Sequence, residues 1–189
     1  MSGSWNRDLG ADLDAIRDWG AVAVVTLVED RELTVLQVPE LGAEVRARHM
    51  DWLHLPITNI SVPGEPFERQ WDRAGAGLRG RLRSGFDIVV HCKGGLGRAG
   101  TIAARLMVEL GVNSARSIST IRAVRPGAIE NAEQERFVLE LLECREPEPA
   151  TSAEAIRDRA VGALLGLAVG DAIGTTLEFW SYARKLVTA

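Results

Sequence analysis

A cysteine and an arginine six residues apart bracket the segment of this chain that is best suited to chemistry. From His91 to Gly100 the sequence reads His-Cys-Lys-Gly-Gly-Leu-Gly-Arg-Ala-Gly. Glycine permits the positive φ angles that let successive backbone N–H groups converge, and such a nest binds an anion. The guanidinium of Arg98 can hold two oxygens of one phosphate. The segment therefore predicts a phosphate cradle made of Lys93, Gly94, Gly95, Leu96, Gly97 and Arg98.

Cys92 lies at the floor of this predicted cradle. Converging N–H groups, a helix N-terminus and Arg98 all favour negative charge, so the thiolate should form well below the usual cysteine pKa of about 8.5. A thiolate beneath a bound phosphate monoester is an in-line nucleophile. The alternative is that Cys92 is a buried apolar residue in an ordinary glycine turn, and the strand–loop–helix context weighs against it. His91 either tunes Cys92 through a backbone hydrogen bond or satisfies itself in the core.

Composition bounds the remaining possibilities. The chain has 189 residues, 46% of them hydrophobic and 25% charged, which is typical of one globular domain plus a remainder. A net charge of −4 argues against an extended surface for nucleic acid or for an anionic membrane. Two distant cysteines, Cys92 and Cys144, favour a reducing compartment, and the cytoplasm is the default. No pair of residues has zinc-ligand spacing, and we expect neither a metal nor a cofactor.

The chain ends and apolar runs carry no membrane signal. The first eight residues lack the basic segment and apolar run of a secretory signal. The longest apolar stretch, 160–169, is too short to span a bilayer.

The hydrophobic pattern predicts an α/β fold in which a central, mostly parallel sheet is flanked by helices. An apolar, β-branched run at 21–28 has the character of a buried parallel strand. Further strands are predicted at 52–57 and 87–91. Helical spacing predicts helices at 12–20, near 41–45, at 67–82 and at 102–110. A further helix is predicted with Ser114 as its cap and an end before Pro126, and a last one from Asn131 onward. The predicted cradle then joins the third strand to a helix.

The segment from His91-Cys92 to Arg98 resembles the signature loop of the cysteine-based protein tyrosine and dual-specificity phosphatases. Together with Leu55-Pro56-Ile57 and Gly127-Ala128-Ile129, it is most similar to the kinase-associated phosphatase branch, the cyclin-dependent kinase inhibitor 3-like group. The resemblance covers about residues 5–144. It implies a phosphatase that acts on a phosphorylated protein or a small phosphomonoester in two steps. Cys92 attacks phosphorus to give a phosphocysteine, and water then hydrolyses that intermediate.

Two departures from the family pattern fall on residues of the mechanism. Relatives carry an aspartate after Leu-Pro-Ile that protonates the leaving alcohol and later activates water, and Asn59 stands at that position. An amide cannot donate that proton, so Glu65 and Asp72 are candidate substitutes, with solvated surface carboxylates as the alternative. Relatives also often carry a hydroxyl directly after the arginine, where this chain has Ala99, with Thr101 nearby.

Gln134 has two interpretations. By resemblance, the segment 127–134 matches the one whose glutamine orients the hydrolytic water. By local physics, Asn131 at an N-cap followed by Gln134 at the third helical position is a capping box.

The last part of the chain has a different character. Residues 145–155 form a charged, proline-punctuated linker after a phosphatase domain at 1–144. Within 156–189, the segment from Arg159 to about Phe179 resembles the opening helix of the ADP-ribosylglycohydrolases, and the sequence departs from that pattern from Trp180 onward. The paired aspartates that hold that family's metal ions are not found before Ala189. We interpret residues 156–189 as an incomplete helical fragment. The apolar helix expected at 160–169 either packs on the phosphatase domain or promotes association.

The leading interpretation is a cytoplasmic phosphatase with Cys92 as nucleophile and Arg98 as phosphate clamp. One alternative is a catalytically weak pseudophosphatase that binds phosphorylated partners, given Asn59 and Ala99. A second alternative is the regulatory part of a split phosphatase and ADP-ribosylglycohydrolase protein.

Overall fold

A parallel sheet positions the loops of the site. The computed structural model of this chain describes residues 8–144, and within them the strands are β1 (Ala21–Thr26), β2 (Asp51–His54) and β3 (Asp87–His91). The strand order is β2-β1-β3, and both pairings are parallel. The central strand β1 is buried along nearly its whole length, as its apolar sequence requires. Thr26 pairs with His54 on one side and with His91 on the other, so the carboxyl ends of all three strands meet.

Helices surround this sheet. Within residues 8–144 they are α1 (Leu9–Trp19), α2 (Asp30–Val35), α3 (Leu41–Ala47), α4 (Glu65–Arg83), α5 (Gly97–Glu109), α6 (Ser114–Val124) and α7 (Ala132–Leu139). The Asp8 side chain caps α1 by accepting from the N–H of Ala11, and Gly20 ends it with a φ of 108°. Helix α4 has Pro66 in its first turn, where the missing N–H costs nothing. No helix among these residues is long and apolar enough to cross a bilayer.

Helix α5 is the centre of the domain. Every residue from Gly97 to Glu109 is buried, and the helix packs against β3, α4, α6 and α7. Its buried charges are paired: Arg105 Nε donates to Glu109 Oε1 over 2.7 Å, and the Glu109 carboxylate also receives Trp71 Nε1 and Arg79 from α4. Because charges buried without partners are costly, this network fixes the position of α5.

The structure confirms the α/β architecture and refines several predicted boundaries. The strands predicted at 21–28 and 52–57 are shorter, since their last residues turn away to form the loops above the sheet. Helix α2 was not predicted, because a six-residue helix with a single buried side chain, Leu33, has too little periodicity. The cap of α6 is Asn113 rather than Ser114. Residues 145–189 lie outside the described part, so the linker and the C-terminal helix remain predictions.

Candidate active site

The signature loop, residues 92–98, joins the end of β3 to the start of α5. Cys92 follows the last strand residue and is 3% exposed, and α5 begins at Gly97. Gly95 has a φ of 64°, the left-handed conformation that glycine adopts at little cost. Among the three glycines expected to take positive φ, it alone does so. The signature loop thus places Cys92 five residues before the positive end of α5.

The absence of a side chain at Gly97 allows Glu130 and Gln134 to approach closely. A Cβ at this position would lie 2.6 Å from Oε1 of Glu130 and 2.9 Å from Nε2 of Gln134. Leu96 supports the same region, because its carbonyl accepts from the N–H groups of both Gly100 and Ile129, at 3.1 and 3.2 Å. The segment before α7, residues 127–131, is thus attached directly to the signature loop.

Arg98 is buried and held from several directions. Its guanidinium donates to both carboxylate oxygens of Glu32, at 2.5 and 2.9 Å, and to the carbonyl of Ile57 at 3.1 Å. It also interacts electrostatically with the Cys92 side chain. Burial alone would lower the pKa of Arg98, but the bonds to Glu32 and the Cys92 charge raise it above its ordinary value. The phosphate clamp is therefore charged and already oriented.

Glu32 is the residue that holds this clamp. Burial alone would raise the pKa of Glu32, whereas the bonds from Arg98 and from the backbone of Glu29 lower it below its ordinary range. Its carboxylate is consequently ionised and fully engaged. No sequence signal marked it, because Glu32 is 66 residues away from Arg98 in the chain.

His91 belongs to a buried hydrogen-bond chain. Trp52 Nε1 donates to Thr26 Oγ1 over 2.7 Å, and Thr26 Oγ1 lies 2.8 Å from His91 Nε2. The backbone of Cys92 also interacts electrostatically with the His91 ring. Complete burial lowers the pKa of His91 to about 4, so the ring is neutral. The bond to Thr26 satisfies His91 in the core, and tuning of Cys92 by His91 stays a prediction.

A cleft of about 310 Å³ opens beside the signature loop. It is lined by Lys93 of that loop, by Asn59 of the loop after β2, and by Glu29, Arg31, Val35 and other residues of the α2 region. The structure therefore brings together Asn59 and Lys93, which are 34 positions apart in sequence. Val35 and Leu36 give the lining an aliphatic patch among polar and charged residues. Its charges nearly balance, because Arg31 pairs with Glu29 at 2.7 Å and Glu32 pairs with Arg98.

The two carboxylates considered as substitutes for the missing acid lie elsewhere. Glu65 is at the start of α4, has an 84% exposed side chain and pairs with Arg69. Asp72 is exposed about two turns further along the same helix. Neither residue lines the cleft that contains Asn59. The hydroxyl of Thr101, next to Ala99, donates to the carbonyl of Gly97 at 2.8 Å and so belongs to the first turn of α5.

Gln134 is fully buried between two loops. Asn131 caps α7 by accepting from the Gln134 N–H at 2.9 Å. The Gln134 side chain accepts from the N–H of Glu130 at 3.0 Å and donates to the carbonyl of Ser61 at 3.3 Å. It therefore departs by one residue from the predicted capping box. Both ends of its amide are occupied by backbone groups.

Comparison with known proteins gives the class. The family model described as "Swiss Army Knife protein, DSP-PTPase phosphatase domain" matches residues 4–138. The chain therefore belongs to this family of DSP-PTPase domains, as the signature loop indicated. A second model, ADP-ribosylglycohydrolase, matches residues 152–187.

Solved structures share the fold. Tk-PTP in its active form superimposes with a TM-score of 0.58 at 34% identity, covering 69% of this chain and 85% of that one. Kinase associated phosphatase, with its catalytic-site cysteine replaced by serine, gives a TM-score of 0.64 at 23% identity over 71% of this chain and 75% of its own. The second likeness concerns the fold alone.

Curated relatives match over shorter segments. The tyrosine-protein phosphatase CDC14 of Saccharomyces cerevisiae is 33% identical over 87 residues, which are 46% of this chain and 16% of the yeast protein. The ADP-ribosylarginine hydrolase Tri1 of Pseudomonas putida is 77% identical over 34 residues, or 18% of this chain and 9% of that protein. The chain thus spans less than a fifth of the length of each.

Proposed function

We propose that this chain is a cysteine-dependent phosphatase that hydrolyses phosphate monoesters through a phosphocysteine. The observation that carries the proposal is the electrostatic interaction between two buried groups of the signature loop, Cys92 at its start and Arg98, which is held by Glu32. A buried cysteine next to a fixed guanidinium and the start of a helix is a nucleophile in an electropositive environment. A phosphate seated there would place its phosphorus in front of Sγ.

Each residue of the loop has a role in this mechanism. The N–H groups of residues 93–97 and the Arg98 guanidinium neutralise the charge that develops on the equatorial phosphate oxygens. Cys92 Sγ forms a bond to phosphorus while the bond to the leaving oxygen breaks. Water then cleaves the P–S bond, which returns the thiolate and releases inorganic phosphate. Lys93, exposed on the cleft wall, adds positive charge at the entrance.

We infer that the substrates are aryl phosphates, with phosphotyrosine in a protein as the first candidate. Two independent features support this preference. Asn59 cannot protonate a leaving group, and an aryl oxide needs that proton far less than an alkyl oxide does. The cleft next to Lys93 also presents the aliphatic side chains of Val35 and Leu36, against which a ring can pack.

A reducing compartment such as the cytoplasm fits both cysteines, which are free thiols.

The direct test is hydrolysis of para-nitrophenyl phosphate by the full chain, without added metal. We expect turnover that disappears in Cys92→Ser, because the serine hydroxyl is not ionised at neutral pH. Cys144→Ser, at the end of the described region, serves as the matched control and should retain full activity. Equal activity of wild type and Cys92→Ser would contradict the proposal.

A pseudophosphatase is the second candidate, and Asn59 is the observation that favours it. In that case the loop binds phosphorylated partners with the same groups but turns over slowly. Binding of inorganic phosphate or of a phosphotyrosine peptide without measurable hydrolysis would identify this case.

We also propose that the phosphatase domain occupies 1–144, with a linker at 145–155 and an ADP-ribosylglycohydrolase-like fragment at 156–189. The separate matches at 4–138 and 152–187 support this division. Deletion of every residue after Thr151 should leave the phosphatase activity unchanged. Loss of folding in that shortened chain would contradict the division.

A further inference from the structure

The second chemical step needs a group that accepts a proton from water, and the loop after β2 does not supply one. Asn59 is exposed on the wall of the cleft, and an amide side chain is not a base. The cleft carboxylates are also engaged, because Glu32 is bound to Arg98 and Glu29 to Arg31. A base has to come from another element around the signature loop.

The segment before α7 brings a carboxylate to that loop. Ile129 donates its N–H to the carbonyl of Leu96 at 3.2 Å and adopts a φ of 57°, unusual for a β-branched residue. Arg122 holds the same segment from α6 by donating to the carbonyls of Ala128 and Ile129 at 3.2 and 3.0 Å. This anchoring places the next residue, Glu130, against the signature loop.

Because Gly97 has no side chain, the Glu130 carboxylate can lie directly against it. A Cβ on Gly97 would lie 2.6 Å from Glu130 Oε1, so the carboxylate occupies the space that any larger residue would fill. Glu130 is nevertheless exposed, which leaves its oxygens open to water. It is thus a solvated carboxylate in direct contact with the phosphate cradle.

Gln134 is less suited than Glu130 to handle water. Its amide oxygen accepts from the Glu130 N–H, its amide nitrogen donates to Ser61, and the side chain is fully buried. Releasing it would break both bonds. Its observed contacts make it a positioning residue that fixes the backbone of Glu130.

We propose that Glu130 is the general base for hydrolysis of the phosphocysteine, an inference that rests on the proposed function. Water oxygen attacks phosphorus, and its proton passes to the Glu130 carboxylate. The P–S bond breaks, and its electron pair returns to Cys92 Sγ as the thiolate. The products are inorganic phosphate and the free enzyme, after Glu130 loses its proton to solvent.

Pre-steady-state kinetics of the full chain with para-nitrophenyl phosphate test this role. In Glu130→Gln we expect a rapid burst of about one nitrophenol per active site, followed by a steady-state rate about 10²-fold below that of wild type. The burst arises because the first step needs no base and the second now lacks one. Glu133→Gln, a similar change at an exposed position in the first turn of α7, is the control and should behave as wild type.

The outcomes separate this proposal from the proposed function. An unchanged steady-state rate in Glu130→Gln would overturn the role of Glu130, and so would a lower rate without a burst, because the first step would then be the one impaired. Wild-type protein without Cys92-dependent turnover would instead overturn the proposed function. Circular dichroism of both variants establishes that they are folded.

Discussion

Two neighbouring loops above the sheet, the signature loop and the loop after β2, are built in different ways. The signature loop is mostly buried, with Cys92 and Arg98 each 3% exposed, and it is held by Glu32 and by the segment before α7. The loop after β2 is exposed at Asn59 and at Ile60, which is 60% exposed and has a φ of 65°. It is secured to the start of α7 by Asn131, which donates to the Ile60 carbonyl at 2.9 Å, and by Gln134.

The difference separates two parts of the chemistry. Phosphate binding and nucleophilic attack are built into the core, where a change of residue disturbs both folding and function. Proton transfer depends on exposed side chains around the signature loop, where a carboxyl group can be lost or regained with little effect on the core. This chain has the cysteine and the arginine that the first part needs, and it has the amide of Asn59 at the expected position of the acid.

The largest effect should come from replacing Arg98, the phosphate clamp of the signature loop. Arg98→Lys replaces a planar fork that grips two oxygens with a single ammonium, so we expect kcat/KM for para-nitrophenyl phosphate to fall by about 10³-fold. Arg105→Lys makes the same change in the same helix, at a guanidinium that also grips a carboxylate with two N–H groups. Per folded molecule, that control should keep its activity. Similar losses in the two variants would show that Arg98 acts only through folding.

A smaller gain should come from restoring the carboxyl group to the exposed loop. Asn59→Asp supplies a proton donor on the cleft wall, so kcat/KM for an alkyl phosphate should rise by about 10²-fold, while that for para-nitrophenyl phosphate changes only a few-fold. Thr58→Asp adds the same charge one residue earlier and should give no such gain. Equal effects on the two substrates would place the proton donor elsewhere.

The smallest effect concerns pH and the buried side of the signature loop. The pKa of His91 is about 4 in the folded chain against an ordinary 6.5, so between these values the unfolded chain binds the proton and the folded chain does not. Stability is therefore lost as pH falls through this window, by about 2 kcal/mol from this group at pH 5. Urea unfolding of wild type and of His91→Asn at pH 7 and pH 5 gives the free energy of unfolding that each protein loses between the two pH values. Equal losses in the two proteins would mean that His91 takes up its proton in the folded chain as well.

What the sequence could predict follows from how far apart the cooperating residues lie. Cys92, Gly95 and Arg98 belong to one contiguous segment, so their types and spacing were enough to define the cradle. Glu32 reaches Arg98 from a short helix with one buried residue, and the contact depends on how that helix meets the sheet. Sequence periodicity contains no such information.

The contacts of His91 and Glu130 could not be predicted from the sequence either. Thr26 meets His91 because two parallel strands pair in a particular register, and Trp52 joins from the third strand. Glu130 meets Gly97 because Ile129 bonds to Leu96 across 33 positions of sequence. The sequence did indicate that segment, through Asn131 and Gln134. It singled out the amide of Gln134 and not the nearby carboxylate of Glu130.

The most direct test of the central claim is to isolate the covalent intermediate. Glu130→Gln is mixed with para-nitrophenyl phosphate, quenched in acid during the burst and analysed by peptide mass spectrometry. The account predicts the added mass of one phosphoryl group on the peptide that contains Cys92, and its absence when Cys92→Ser is combined with Glu130→Gln. A phosphoryl group on any other residue, or turnover without a covalent adduct, would contradict it.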